Sequence, residues 1–134
     1  MTEAKGMMAQ ITFLYYDQLQ PVIPFYEEIL GLELVEDQGW AKIYRVHGNA
    51  YLGIVAGEKG LHSPRQENAV LVTLVVDNAA RWYEELKETG IEMLSELENR
   101  EEIGIQCFFV KDPGGYTLEI QQFLRPKQMK VFGS

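Results

Sequence analysis

Residues 10–16 are apolar and rich in β-branched and aromatic side chains, a pattern that predicts a strand. Helical spacing follows, with Val22, Phe25, Tyr26, Ile29 and Leu30 forming one apolar face. Pro21 and Pro24 stand near its start, where missing N–H groups are tolerated, and Gly31 suits its stop. Residues 32–35 read as a short strand, and 40–46 with 50–55 as a hairpin around Gly48-Asn49. A polar stretch over 58–68, containing Pro64, reads as a linker. The order then repeats. Residues 69–76 form a near-continuous apolar run, Asn78 is a helix cap, and Ala79, Trp82 and Leu86 mark a helical face ending at Gly90. Residues 91–95 predict a strand and 96–102 an acidic loop around Arg100. Residues 103–110 and 116–123 predict a hairpin turning through Asp112-Pro113-Gly114-Gly115. The tail, 124–134, reads as a loosely held end.

The two halves share more than their element order. Phe25-Tyr26-Glu27-Glu28-Ile29 followed by Gly31-Leu32-Glu33 is echoed by Trp82-Tyr83-Glu84-Glu85-Leu86 followed by Gly90-Ile91-Glu92. A repeat of about 60 residues is longer than a solenoid unit and indicates a duplicated module inside one domain. The predicted fold is therefore α+β, two β-α-β-β-β modules over about 9–57 and 69–123. Each forms a curved mixed sheet, and together they surround a cleft.

Charge and cysteine content narrow the function. A net charge of −8 disfavours nucleic acid and anionic membrane surfaces as partners. The single Cys107 allows no internal disulfide and suits a reducing compartment. No segment has the length or apolarity of a signal peptide or membrane span, so a cytoplasmic protein is expected.

The run Phe25-Tyr26-Glu27-Glu28-Ile29-Leu30-Gly31 after the first strand, with Asp112-Pro113-Gly114-Gly115-Tyr116-Thr117-Leu118-Glu119 closing the second half, resembles the vicinal oxygen chelate superfamily. That group includes glyoxalase I, bleomycin-resistance proteins and extradiol dioxygenases. The resemblance covers about residues 9–123 and implies paired modules enclosing a ligand site, within one chain or across a homodimer. It also implies four metal-ligand positions, which fall on Gln10, Gly53, Leu71 and Glu119. Gly53 and Leu71 carry no donor, and a catalytic zinc site uses three protein ligands. No cofactor is therefore expected, and Gln10 and Glu119 read as remnants. The alternative is a divalent metal completed by a partner chain. His47 in the first turn and His62 in the linker do not supply an extradiol iron site.

With Gln10 taken as inward-pointing, strand alternation lines the cleft with Thr12, Leu14 and Tyr16, and with Leu71, Thr73 and Val75 from the second half. Ile11, Phe13 and Tyr15 then pack under the helix. A turn at Gly48-Asn49 sets Tyr44 opposite Gly53, with Tyr51 on the same face. The second hairpin sets Phe108 opposite Glu119, beside Gln121, and turns Cys107 toward the helix layer. These are aromatic and aliphatic walls around a few amides and hydroxyls, the composition of a small-molecule pocket. Blander readings stand beside this one. Glu119 reads also as a partly buried carboxylate held by Gln10 or Thr73, Tyr44 as filler for the space at Gly53, and Arg100 as a solvated loop residue.

Three functions are compatible with this reading. The first is a metal-independent protein that binds or sequesters a neutral or cationic small organic molecule. The second is a glyoxalase-like lyase or isomerase in which Glu119 moves a proton alpha to a carbonyl, chemistry that leans on a metal. The third is a non-catalytic interaction module.

Overall fold

Strand β1 (Gln10–Tyr16) forms one edge of a four-stranded mixed sheet in the computed structural model, which describes residues 5–60, 62, 64 and 70–132. The chain divides into two compact units between residues 65 and 66. Most of the expected linker, and Ala69 at the start of the expected fifth strand, lie outside the described residues.

In the first unit the sheet order is β1-β4-β3-β2, with β2 at Glu33–Asp37, β3 at Ala41–His47 and β4 at Ala50–Ala56. β1 runs parallel to β4, and the other pairs are antiparallel. The helix expected over 21–30 is instead a π-helical turn, Phe25–Ile29. Pro21 and Pro24 have no N–H to give, which prevents a regular α-helical ladder. The wider turn closes with the Leu30 N–H on the Phe25 carbonyl at 2.9 Å.

This turn covers one face of the sheet. Tyr16 and Tyr26 share a hydroxyl hydrogen bond of 3.1 Å, the Tyr44 hydroxyl donates to Glu27 at 2.9 Å, and the Tyr26 and Tyr44 rings stack 6.1 Å apart. Leu14, Val22, Phe25, Leu52 and Ile54 complete a buried core. Burying a large apolar side chain contributes about 1.5–3 kcal/mol, so these residues dominate the unit's stability.

The second unit carries its sheet in the order β5-β9-β8-β6, with β7 also on β8. The strands are β5 (Val72–Val75), β6 (Glu92–Met93), β7 (Glu98–Arg100), β8 (Ile105–Lys111) and β9 (Thr117–Phe123). β5 runs parallel to β9, repeating the β1–β4 arrangement. Helix α1 (Ala79–Lys87) starts at Asn78, whose side chain accepts from the Arg81 N–H at 3.1 Å. Leu86, Phe108, Val110, Leu118 and Ile120 are buried, and Phe108 meets Tyr83 of α1 edge-on at 5.1 Å.

Two segments differ from expectation. The acidic loop over 96–102 contains β7, because Glu98 and Arg100 pair with Cys107 and Ile105 of β8 while their side chains neutralise each other at 3.1 Å. The tail holds helix α2 (Pro126–Phe132). Pro126 suits a first helical position, and Gln128 accepts from the Arg125 N–H while donating to the Ile103 carbonyl. Phe132 stacks on Phe123 at 4.5 Å, which ties α2 to β9. No helix among the described residues is long and apolar enough to cross a membrane.

Candidate functional site

The face of the second sheet turned away from α1 carries the polar cluster. Parallel pairing sets Thr73 of β5 beside Glu119 of β9, and the Thr73 hydroxyl donates to the carboxylate at 2.9 Å. The Gln121 amide, turned with its NH₂ toward Glu119, donates to both carboxylate oxygens at 3.3 and 3.0 Å. Glu119 is only 8% exposed, and these donors meet the requirement that a buried charge be hydrogen-bonded. On the other side of β9, Glu119 pairs with Phe109 and Gln121 with Cys107. Leu71, just before β5, and Val75 within it are half exposed and add apolar surface beside this cluster.

Phe108 is not on this face. Its burial against Tyr83 leaves Phe109 as the aromatic neighbour of Glu119, and Cys107 points to the Glu119 side instead of the helix layer. The cause is the turn. The Asp112 carboxylate accepts from the Gly114 and Tyr116 N–H groups, and the Gly115 N–H bonds the Asp112 carbonyl at 3.0 Å. Asp112 and Tyr116 therefore close the hairpin around three residues, with Gly115 at φ +99. That is one residue away from a four-residue turn, and a one-residue slip reverses every side chain on the strand.

Burial raises the Cys107 thiol above its ordinary pKa, and the nearby Glu119 charge adds to the rise. It is a protonated, inert thiol at neutral pH. Arg100, read from the sequence as a solvated loop residue, donates twice to Glu98 and lies 5.8 Å from the Phe109 ring centre.

In the first unit the expected facing is reversed. Leu14 and Tyr16 lie on the helix side, so alternation puts Thr12 and the exposed Gln10 in that phase too. Tyr44 also lies there, held by Glu27 and stacked on Tyr26. Burial and Glu27 hold its phenol well above the ordinary value. Leu14 and Tyr44 are thus core residues and not pocket walls. Gly53 pairs with Phe13 and Ile43, and the Phe13 ring occupies the space a side chain at position 53 would need. Tyr51 shares this face, where it accepts from Arg45 Nη1 at 2.7 Å under the guanidinium.

The slip here has a similar origin. His47 pairs with Ala50 at the turn, but the register shifts between Arg45 and His47, so Ile43 and not Tyr44 comes opposite Gly53. Sequence reasoning missed Phe13, Arg45, Glu98 and Phe109. The Asp-Pro-Gly-Gly turn could have exposed Phe109, because a type I turn followed by a left-handed glycine implies the three-residue loop.

The donor set does not fit the family's metal. Glu119 has hydroxyl and amide neighbours, Gly53 and Leu71 supply no donor, and no three His, Cys, Asp or Glu side chains come together among the described residues in a way that could hold an ion. His62 packs edge-on to Tyr15 at 5.5 Å.

Residues 8–120 match the family model of the glyoxalase/bleomycin resistance protein/dioxygenase superfamily. The chain belongs to that superfamily. Solved structures agree on the fold. A glyoxalase/bleomycin resistance protein/dioxygenase from Nocardioides has a TM-score of 0.72 at 18% identity, over 93% of this chain and 88% of that one. Lactoylglutathione lyase from Agrobacterium tumefaciens has 0.71 at 17%, over 98% and 100%. TioX from Micromonospora sp. ML1 has 0.71 at 13%, over 87% and 98%. No curated protein matches the chain. The α+β fold expected from the repeat is thus the glyoxalase-superfamily fold, carrying a polar cluster at Glu119.

Proposed function

We propose that this superfamily member is a cytoplasmic protein that binds, and by binding sequesters, a neutral or cationic small organic molecule without a metal. The supporting observation is Glu119 itself. A carboxylate held by Thr73 and Gln121 is surrounded by Phe109 and the half-exposed Leu71 and Val75. Apolar contact contributes roughly 25 cal/mol per Å² buried, and the few polar groups set orientation. The carboxylate and the net charge of −8 disfavour anions. Lyase or isomerase chemistry at Glu119 needs a group that stabilises an enediolate, and Gly53 and Leu71 offer no donor to hold a metal for that role. Exposed Ile11 and Phe13 on the first sheet, with Leu71 and Val75 on the second, support a homodimer that covers apolar surface.

A thermal-shift screen of aromatic cations, neutral aromatics and anionic metabolites tests the reading. Cations and neutral compounds should stabilise the wild type, Glu119→Gln should lose the cation preference, and Leu71→Trp should reduce every response. Equal stabilisation by anions counts against it. One equivalent of bound divalent cation by elemental analysis overturns the metal-free assignment and favours the lyase or isomerase alternative.

A further inference from the structure

Helix α2 lies beyond the 8–120 stretch that matches the family model, yet it is built into the second unit. Phe132 stacks on Phe123, Gln128 holds the Ile103 carbonyl at 2.7 Å, and the Arg125 guanidinium holds the Glu101 carbonyl at 2.8 Å. Between α2 and the ends of β5 and β9 is a hollow of about 160 Å³, walled by Val75, Phe123, Met129 and Phe132. Its floor is fixed, because the Val76 N–H bonds the Gln121 carbonyl and the Ala79 N–H bonds the Gln122 side chain, both at 2.9 Å.

The charged residue of the lining is Asp77. Its carboxylate makes no hydrogen bond or ion pair among the described residues, and Arg81, the cation nearest to it in sequence, is taken by Glu85 at 3.1 Å. An enclosed apolar cavity of about 150 Å³ takes a benzene ring, and this hollow offers similar room while open to solvent on one side. Aromatic and thioether walls suit such a ring, and an unpaired carboxylate at the same hollow suits a positive substituent.

We propose that this hollow, which shares Val75 with the Glu119 face but not its carboxylate, is a second binding site for an aryl ring bearing a cationic group, with Asp77 as its counter-ion. Met129 and Phe132 of the tail supply one wall, and because Val75 serves both places the Glu119→Gln variant distinguishes them.

The test follows the Met129 methyl resonance of the full-length protein, assigned with Met129→Leu, during titration with benzylamine, benzyl alcohol and benzoate at neutral pH. Benzylammonium should bind tightest, with benzyl alcohol about threefold weaker, the size expected of a solvent-exposed ion pair. Asp77→Asn should remove that preference while leaving the alcohol unchanged, and Val75→Trp should abolish the Met129 shift. The proposal is overturned if no probe moves Met129 or if cation and alcohol bind equally to the wild type. It is also overturned if Glu119→Gln abolishes the Met129 response, since the probe would then sit at the Glu119 cluster. A Met129 response that persists when the thermal-shift screen fails at Glu119 leaves this site standing and removes only the proposed function.

Discussion

Gly53 and Glu119 occupy matching places in the two units, and their surroundings are opposite. Each stands on the last strand of its unit, β4 or β9, paired in parallel to the first strand of that unit and antiparallel to the strand before it. Gly53 has Phe13 and Ile43 as partners; Glu119 has Thr73 and Phe109. In the first unit an aromatic ring from β1 fills the missing side chain's space. In the second, a hydroxyl from β5 holds a carboxylate in place. One backbone arrangement thus supports an apolar packing site in one copy and a polar site in the other. The chemistry of this protein is asymmetric although its fold is duplicated.

The sharpest way to break the comparison is to restore a side chain at the glycine. Gly53→Ala puts a methyl group where the Phe13 ring lies, and overpacking of this kind should cost about 2 kcal/mol. Phe13→Ala in the same chain should return most of that loss. A double-mutant cycle by urea denaturation measures it, and additive effects would mean that the ring does not fill the site.

A smaller effect is expected at the second copy. Thr73→Ala removes a donor to Glu119 and should destabilise by about 1 kcal/mol, while Thr73→Ser should retain the bond and most of the stability. If Ser is as damaging as Ala, the methyl group and not the hydroxyl is the part that matters.

The smallest effects belong to alkaline pH. Cys107 in the second unit and Tyr44 in the first both have pKa values raised above their ordinary 9.0 and 10.0. In each case the folded state holds its proton more tightly than the unfolded one. The resulting stability is complete below the unfolded pKa and is lost as pH rises from there through the folded value. Melting temperature should therefore decline from about pH 9, less steeply in Cys107→Ala. Above about pH 10 Tyr44→Phe should flatten the curve further. Parallel curves for wild type and both variants would remove these groups as the cause.

Much of this architecture is legible in the sequence. The repeat, the capping Asn78 and the alternating strands are local signals, and short-range backbone preferences express them wherever the chain goes. The pairing of Thr73 and Gln121 with Glu119 was also within reach, because the three share one phase of alternation. Facing in the hairpins was not. A bulge after Arg45 and a three-residue loop at Asp112 each moved the pairing by one residue, which exchanged Tyr44 for Ile43 and Phe108 for Phe109.

In β1 both phases are apolar, with Ile11, Phe13 and Tyr15 on one side and Leu14 and Tyr16 on the other. Hydrophobicity alone does not choose between them. The choice was made by contacts distant in sequence: the Tyr16 hydroxyl meets Tyr26, and the Phe13 ring takes the space left by Gly53. Helix α2 depends on tertiary contact in the same way, since seven residues form a stable helix only when something holds them, here Phe123 and the Ile103 carbonyl. By itself the sequence determined the element order, the duplication and the carboxylate at position 119. Which side chains accompany that carboxylate was decided by strand register, which depends on turn geometry and on packing partners far along the chain.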